Sequence, residues 1–365
     1  MPRKNIRIAV VDFAHSEAYL AQRLLEFVAD DFHFEVTEDN PDFVLHSCFG
    51  RRVLKFDGVR IFYTAENQTP DFNLSDYALG FDRLEFENRY LRLPLYRIYP
   101  ATYPALFRGK PDEVEKHKGH KDLHKEHKDG VLCENLCVPC GKSNTTPRKT
   151  FCACVVSNKE REPAFEELLA LLNAREPVQS GGKLFNNVGG PVADKIEFLK
   201  TARFGLAVEN TSRPGYITEK ISDVFAAGAI PIYWGAPDAA KDFNPRAFVN
   251  CHDYPTLRDA AAAAVAIDRD PARYAAMLAE PPFLNNAEPD ALHAERIRDF
   301  LRGIFDKPVF RRNRILRGRI YERDLRTAFF KPHVQATRLL RDAIRKLRGR
   351  KTFTPPPLNK PGLQD

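Results

Sequence analysis

The apolar residues of this chain fall into short runs that alternate with helical stripes. Ile6–Phe13 is one such run. Ser16–Ala29 follows, with Tyr19, Leu20, Leu24, Leu25 and Val28 at the three- and four-residue spacing of one helix face. Short apolar segments come next at Phe32–Val36, Phe43–Cys48, Val59–Tyr63 and Tyr77–Phe81. Alternation of this kind predicts a parallel α/β sheet. The pattern restarts at Thr150, with a strand at Phe151–Ser157 and a helix at Arg161–Leu172 that turns Phe165, Leu168, Leu169 and Leu172 inward. A Gly-rich loop, Gly181–Gly190, and a helix around Asp194–Thr201 lead to an apolar run at Phe204–Val208. A helix opening near Tyr216–Thr218 then carries the inward stripe Ile217, Ile221, Val224 and Phe225, and Ile230–Trp234 is the next strand. Helices are expected at Ala260–Val265, Pro271–Leu278 and Ala291–Phe305.

Two segments break the pattern. Residues 108–149 are rich in Lys, His, Asp and Glu and poor in large apolar residues, as in a linker or insertion. Beyond residue 310, His333–Leu347 is helical by period. Ala336, Leu340, Ala343, Ile344 and Leu347 lie on one side, with Arg338, Arg341, Arg345 and Arg348 spread around the other, which makes a basic amphipathic helix. The expected division is therefore 1–107 and 150–310 for two domains, 108–149 for the insertion and 311–365 for a basic tail.

Charge sharpens this division. The chain carries +7 overall, but residues 311–351 hold 15 Lys and Arg against Glu322, Asp324 and Asp342, a net of +12 that leaves the remainder at −5. A nucleic-acid-binding core would not be acidic, so no nucleic-acid partner is expected. Seven cysteines, odd in number and clustered, make a poor disulfide framework. No apolar run approaches the ~18 residues that span a bilayer, and a cytoplasmic protein is expected.

The chemistry gathers in Val208–Pro237. Polar residues collect where a strand ends and a helix begins, the place where parallel sheets bind ligands and where helix N–H groups meet anions. Arg213 and Lys220 suit a diphosphate, Glu219 suits a ribose diol, and Tyr216 could touch phosphate or sugar. A solvated helix face with a few charges would look similar.

This stretch resembles the signature of the α-1,3-fucosyltransferases, glycosyltransferase family 10. The matching phrases are Val208-Glu-Asn, Gly215-Tyr-Ile-Thr-Glu-Lys-Ile-Ser-Asp and Ile230-Pro-Ile-Tyr-Trp-Gly. Asp242-Phe-Asn-Pro-Arg-Ala-Phe-Val-Asn250, Phe151-Cys-Ala-Cys-Val-Val-Ser-Asn158, Phe62-Tyr-Thr-Ala-Glu-Asn and Arg89-Tyr-Leu-Arg-Leu-Pro-Leu-Tyr96 are similar to bacterial members. The resemblance implies an α/β protein of GT-B architecture, two Rossmann-like domains facing across a cleft, with the basic amphipathic helix added at the C-terminus. It implies GDP-L-fucose as donor, no required cofactor, and a lactosamine-like glycan acceptor, with transfer to O3 of GlcNAc on lipopolysaccharide. Tyr216, Glu219 and Lys220 would hold the donor, with Glu209 and Asn210 at the same strand end. Arg161 would contact the diphosphate, at a shorter spacing from Asn158 than in the family. Glu66, after the strand Ile61-Phe-Tyr63, matches the family's general base. Another nucleotide sugar, or 1,4 linkage, is the alternative.

A metal is not expected in the chemistry. Asp268-Arg-Asp270 reads as a helix end. His117, His120, His124 and His127, spaced to line one helix face, precede Cys133, Cys137 and Cys140, whose residue types suit a structural zinc. C-x3-C-x2-C is not a standard finger spacing, and a solvated linker is the plainer reading. Cys152 and Cys154 read as small core residues. The basic tail suits an anionic membrane surface, at the inner face of a bacterial cytoplasmic membrane, or else packs on the catalytic body. The family's leucine heptads are reduced to Tyr321-Glu-Arg-Asp-Leu-Arg326.

Overall fold

The computed structural model describes residues 3–14, 18–99, 102–107, 150–159, 161–309 and 317–330. The expected helix at His333–Leu347 and the His/Cys group at 117–140 lie outside the described residues. The chain begins with β1 (Lys4–Val11), α1 (Ala18–Glu26), β2 (Phe32–Val36), β3 (Phe43–His46), β4 (Val59–Phe62), β5 (Tyr77–Gly80) and β6 (Tyr90–Arg92). Next come α2 (Leu95–Ile98), β7 (Thr150–Cys154), α3 (Ala164–Asn173), β8 (Val178–Ser180), α4 (Lys195–Leu199), β9 (Ala202–Val208) and α5 (Glu219–Ala226). The remainder is β10 (Ile230–Trp234), β11 (Val249–Asn250), α6 (Leu257–Asp268), α7 (Pro271–Ala279), α8 (Ala294–Phe305) and α9 (Arg317–Phe330).

Contacts divide the chain into two compact units, Met1–Leu93 with Ala291–Asp365, and Pro94–Asp290. The expected boundaries at 107 and 310 therefore move. Residues 94–107 belong with the second unit: Tyr96 packs on Phe243 at 4.9 Å between ring centroids, and Arg97 pairs with Glu288 at 2.7 Å. Helix α8 belongs with the first. A reading along the chain assigns a helix to the nearest sheet in sequence, whereas its apolar stripe selects the sheet that it covers.

The first unit has six parallel strands in the order β2-β1-β3-β4-β5-β6. Strands β3 and β4 are buried at every position, as parallel strands covered on both faces must be. Helix α8 buries Ile297, Leu301, Ile304 and Phe305. Phe305 meets Phe32, Phe34 and Phe43 edge-on at 5.6, 5.3 and 5.0 Å, each pair contributing about 0.5–1.5 kcal/mol beyond its buried area. Arg298 adds a bidentate pair with Asp31 at 2.8 and 2.9 Å.

Helix α9 docks through Leu325, Phe329 and Phe330 against the cluster containing Val53, Leu54 and Phe56. Its Glu322 accepts from the fully buried Arg60 at 2.9 Å, and Arg60 also donates to the Phe56 carbonyl at 2.9 Å. The segment that carries the lone heptad remnant is thus packed on its own chain.

The second unit has five parallel strands in the order β11-β10-β9-β7-β8. Pro231 is tolerated inside β10 because β11 pairs only with Ile232 and Tyr233. Cys152 and Cys154 are fully buried core residues, as expected, and burial raises both thiols above their ordinary range. Strands β6, β8 and β11 have two or three residues each, too few to show a period in the sequence.

Removing the Glu322 carboxylate would strand a buried guanidinium. Glu322→Ala is expected to lower stability by about 3–5 kcal/mol, measured by urea unfolding of the full chain.

Candidate functional site

In the second sheet the chain runs from β7 to β8 on one side and returns to β9 on the other, which puts the topological switch between β7 and β9. Ligands bind beyond the carboxyl ends of strands at such a point. Both loops that leave these strands carry predicted site residues, and the two are bolted together. The Glu162 amide donates to the Asn210 carbonyl at 2.9 Å, and the Ser212 amide donates to the Glu162 carboxylate at 3.1 Å. Arg161 and the 209–218 loop are thereby held at one edge.

The loop itself is built around Glu209. Its carboxylate, wholly buried, accepts from the Thr218 amide at 2.8 Å, the Thr218 hydroxyl at 2.7 Å and the Lys220 ammonium at 2.9 Å. The intervening turn needs Gly215, with φ at 78°, where a type II turn over Arg213–Tyr216 is closed by the Tyr216 amide on the Arg213 carbonyl at 3.2 Å. Asp238 accepts from the Gly215 amide at 2.8 Å. Across from Glu209, Gly235 leaves no room for a side chain: a Cβ there would lie 2.4 Å from Glu209 Cγ.

Lys220 also donates to the Thr218 hydroxyl at 3.2 Å. An ammonium has three N–H groups; among the described residues two are taken, and the side chain is 26% exposed. Burial works against its charge, but Glu209 and Glu219 hold its pKa above the usual lysine value. Burial likewise opposes the Glu219 carboxylate, yet Lys220 and Lys195 bring it below the usual range. Lys195 comes from α4 and lies 2.5 Å from Asp223. Burial disfavours its charge, and Asp223 and Glu219 more than compensate. Arg161 is half-buried, 5.0 Å over the Phe165 ring, and close enough to Lys220 to weaken that group's charged form. The arrangement sets two cations over a scaffold of carboxylates, a geometry suited to an anion.

Glu219, Lys220, Arg161 and Asn210 all sit on this rim. Two predicted residues lie beneath the rim. Glu209 turns to Thr218 and Lys220 and is closed to solvent, and the Tyr216 side chain is buried, with 2% exposed. Thr218, Glu162, Asp238 and Lys195 complete the site. Thr218 stood inside the motif, but Lys195 had no signal in the sequence, because only the fold brings α4 beside α5. Asp268 pairs with Arg203 at 2.5 Å, and Asp270 caps α7 through the Ala272 and Arg273 amides at 3.1 Å, the helix-end roles expected of them.

In the first sheet the switch lies between β1 and β3. Asp12 at the end of β1 accepts from the Arg52 and Val53 amides at 3.0 and 2.9 Å. Glu66 follows the adjoining strand β4 and is half-buried. Its amide donates to the buried Thr64 hydroxyl at 3.1 Å, and its carbonyl accepts from the Gln68 amide at 2.7 Å. His46, at the end of β3, is buried and hydrogen-bonded to Ser75 Oγ at 2.9 Å.

Two all-parallel sheets, each with its polar loops at a switch point, define the two-domain GT-B class of glycosyltransferases. Residues 8–99 match the model of the Alpha-(1,3)-fucosyltransferase FucT N-terminal domain, and residues 145–279 match that of the Glycosyltransferase family 10 (fucosyltransferase) C-terminal region. The Helicobacter pylori protein Alpha-(1,3)-fucosyltransferase FucT is 35% identical over 266 residues, which cover 70% of this chain and 55% of that one. The chain thus spans about half the length of this curated relative. Crystal structures of an alpha1,3-fucosyltransferase are similar at TM-score 0.69 and 29% identity, covering 86% of this chain and 94% of that one. The same holds for an alpha1,3-fucosyltransferase with GDP-fucose, at TM-score 0.68 and 30% identity, covering 85% and 93%. The chain belongs to glycosyltransferase family 10.

Burial, with Arg60 and Arg51 nearby, depresses the His46 pKa to about 3, against the opposing bond to the Ser47 carbonyl. The unfolded chain takes up this proton near the ordinary value while the folded one does not, so stability is lost as pH falls below that value. Between pH 7 and pH 5 the wild type is expected to lose about 2 kcal/mol more than His46→Gln, read from chemical denaturation at each pH.

Proposed function

We propose that the protein transfers L-fucose from GDP-β-L-fucose to O3 of the GlcNAc unit in a lactosamine-type glycan, carried on lipopolysaccharide. The observation that carries this reading is the remaining N–H of Lys220 beside Arg161 at the β7–β9 switch point, in a chain that belongs to a fucosyltransferase family. Lys220 and Arg161 would neutralise charge on the departing GDP. Glu219 would accept the ribose hydroxyls, with Glu209 holding Lys220 in place.

The donor linkage is β and the product linkage α, so the reaction inverts. One displacement suffices if a base takes the acceptor hydroxyl proton as the C1–O bond breaks. Glu66 fills that role in this reading, supported by its place at the carboxyl end of a strand beside the switch point of its sheet. Glu66→Ala is expected to lower kcat by about 10²–10⁴-fold while GDP-fucose binding is unchanged. Turnover near wild type with donor binding intact would show that another group is the base. Linkage analysis of the products from both lactosamine isomers separates O3 from O4 transfer.

The basic residues of 331–351 are read as an anchor on anionic lipid at the cytoplasmic face of the membrane. Among the described residues no helix is long and apolar enough to cross a membrane. Truncation after residue 330 keeps α9 and is expected to move the enzyme from the membrane to the soluble fraction. An unchanged partition would sink the anchor.

A further inference from the structure

The first unit holds a cavity of about 120 Å³ that none of these roles uses. Its walls include Ser47 and Cys48 after β3, Gln68 and Thr69 in the loop of Glu66, and Tyr321 and Leu325 of α9. Hydrogen bonds tie it to Glu66. The Cys48 thiol and the Glu66 amide both meet the Thr64 hydroxyl, at 3.3 and 3.1 Å, and the Gln68 amide meets the Glu66 carbonyl.

Ser47 is 3% exposed, and its hydroxyl has no hydrogen-bond partner among the described residues. A buried hydroxyl left without a hydrogen bond is destabilising, and an entering hydroxyl would satisfy it. At the mouth, Asp71 accepts from Tyr321, whose side chain stays 38% exposed. Arg51 also lines the space, but it donates to the Gly50 carbonyl at 2.7 Å and lies 5.1 Å over the Phe329 ring. A carboxylate at the mouth and a cation turned to backbone and ring disfavour an anionic ligand. Hydroxyl, carboxylate and aromatic groups together suit a neutral polyhydroxylated ring. Whole-ligand pockets run to roughly 300–1,000 Å³, so this one fits a single unit of a larger ligand.

We propose that the cavity is a subsite for one neutral sugar unit of the acceptor, with Ser47 as hydrogen-bond partner to a sugar hydroxyl and Tyr321 of α9 as the wall that selects it. This assignment rests on the fucosyl-transfer reading. It makes α9 part of acceptor recognition as well as of the fold.

Two variants test it in the full chain. Ser47→Val fills the space and removes the hydroxyl. Tyr321→Ala removes the wall at an exposed position and keeps the test if Ser47→Val fails to fold. Saturation-transfer NMR with N-acetyllactosamine, without donor, should show the wild-type signal reduced by about fivefold or more in both. With GDP-fucose, the acceptor KM should rise about tenfold, with donor KM and acceptor-independent GDP-fucose hydrolysis within about twofold of wild type. Wild-type binding and acceptor KM in the folded variants, or no lactosamine signal in the wild type, overturns the subsite. A wild type that neither hydrolyses nor transfers from GDP-fucose refutes the donor reading instead, and the NMR comparison still decides the cavity.

Discussion

The rim of the second sheet depends on one buried carboxylate. Glu209 has no exposed side-chain surface, and its three donors come from Thr218 and Lys220. Those bonds close the loop between β9 and α5 and set where α5 begins, and with it the direction of Lys220. The same carboxylate explains Gly235, since any larger residue would meet Glu209 Cγ. Breaking a buried pair by removing one partner typically costs about 3–5 kcal/mol. The residues Val208-Glu-Asn, Thr218, Lys220 and Trp234-Gly235 therefore form one mechanical unit, which is why they stand as a single phrase along the chain.

Much of this was legible in advance. The long apolar runs marked β1, β3, β4, β9 and β10, and the stripe Ile221, Val224, Phe225 marked the buried face of α5. The Pro214-Gly215 turn was readable because only glycine takes its φ readily. What stayed hidden depended on contacts distant in sequence. Lys195 looks like any surface lysine until α4 is placed beside α5. The burial of Glu209 and Tyr216 was not legible, because a motif gives residue identity without burial. Burial places Glu209 and Tyr216 inside the unit.

The return of the chain to its first unit was hidden for the same reason. α8 and α9 follow the second sheet in sequence, yet Phe305 is buried among Phe32, Phe34 and Phe43, and Glu322 reaches Arg60. A basic segment of net +12 reads as tail when charge alone is counted. Its described helix, α9, is instead held by one buried carboxylate and a few aromatic rings. Charge composition says which segment departs from the average, but the apolar positions inside it say where it is attached.

Two ion pairs, Arg60–Glu322 and Lys220–Glu209, show how similar chemistry serves different ends. Glu322 accepts from Arg60 and also from Arg326, at 3.0 and 2.7 Å, and the Arg60 and Glu322 side chains are 0% and 5% exposed. That pair is enclosed, and its charges are spent on docking α9. Glu209 is enclosed as completely, but its partner is not: Lys220 keeps an N–H group and 26% of its side chain open. Half of the second pair is structure and half is surface. A cation held in that way is fixed in place by a buried partner before any ligand arrives, so little ordering remains to be done when an anion binds. The contrast leaves the Lys220 ammonium partly open and puts its positioning on Glu209.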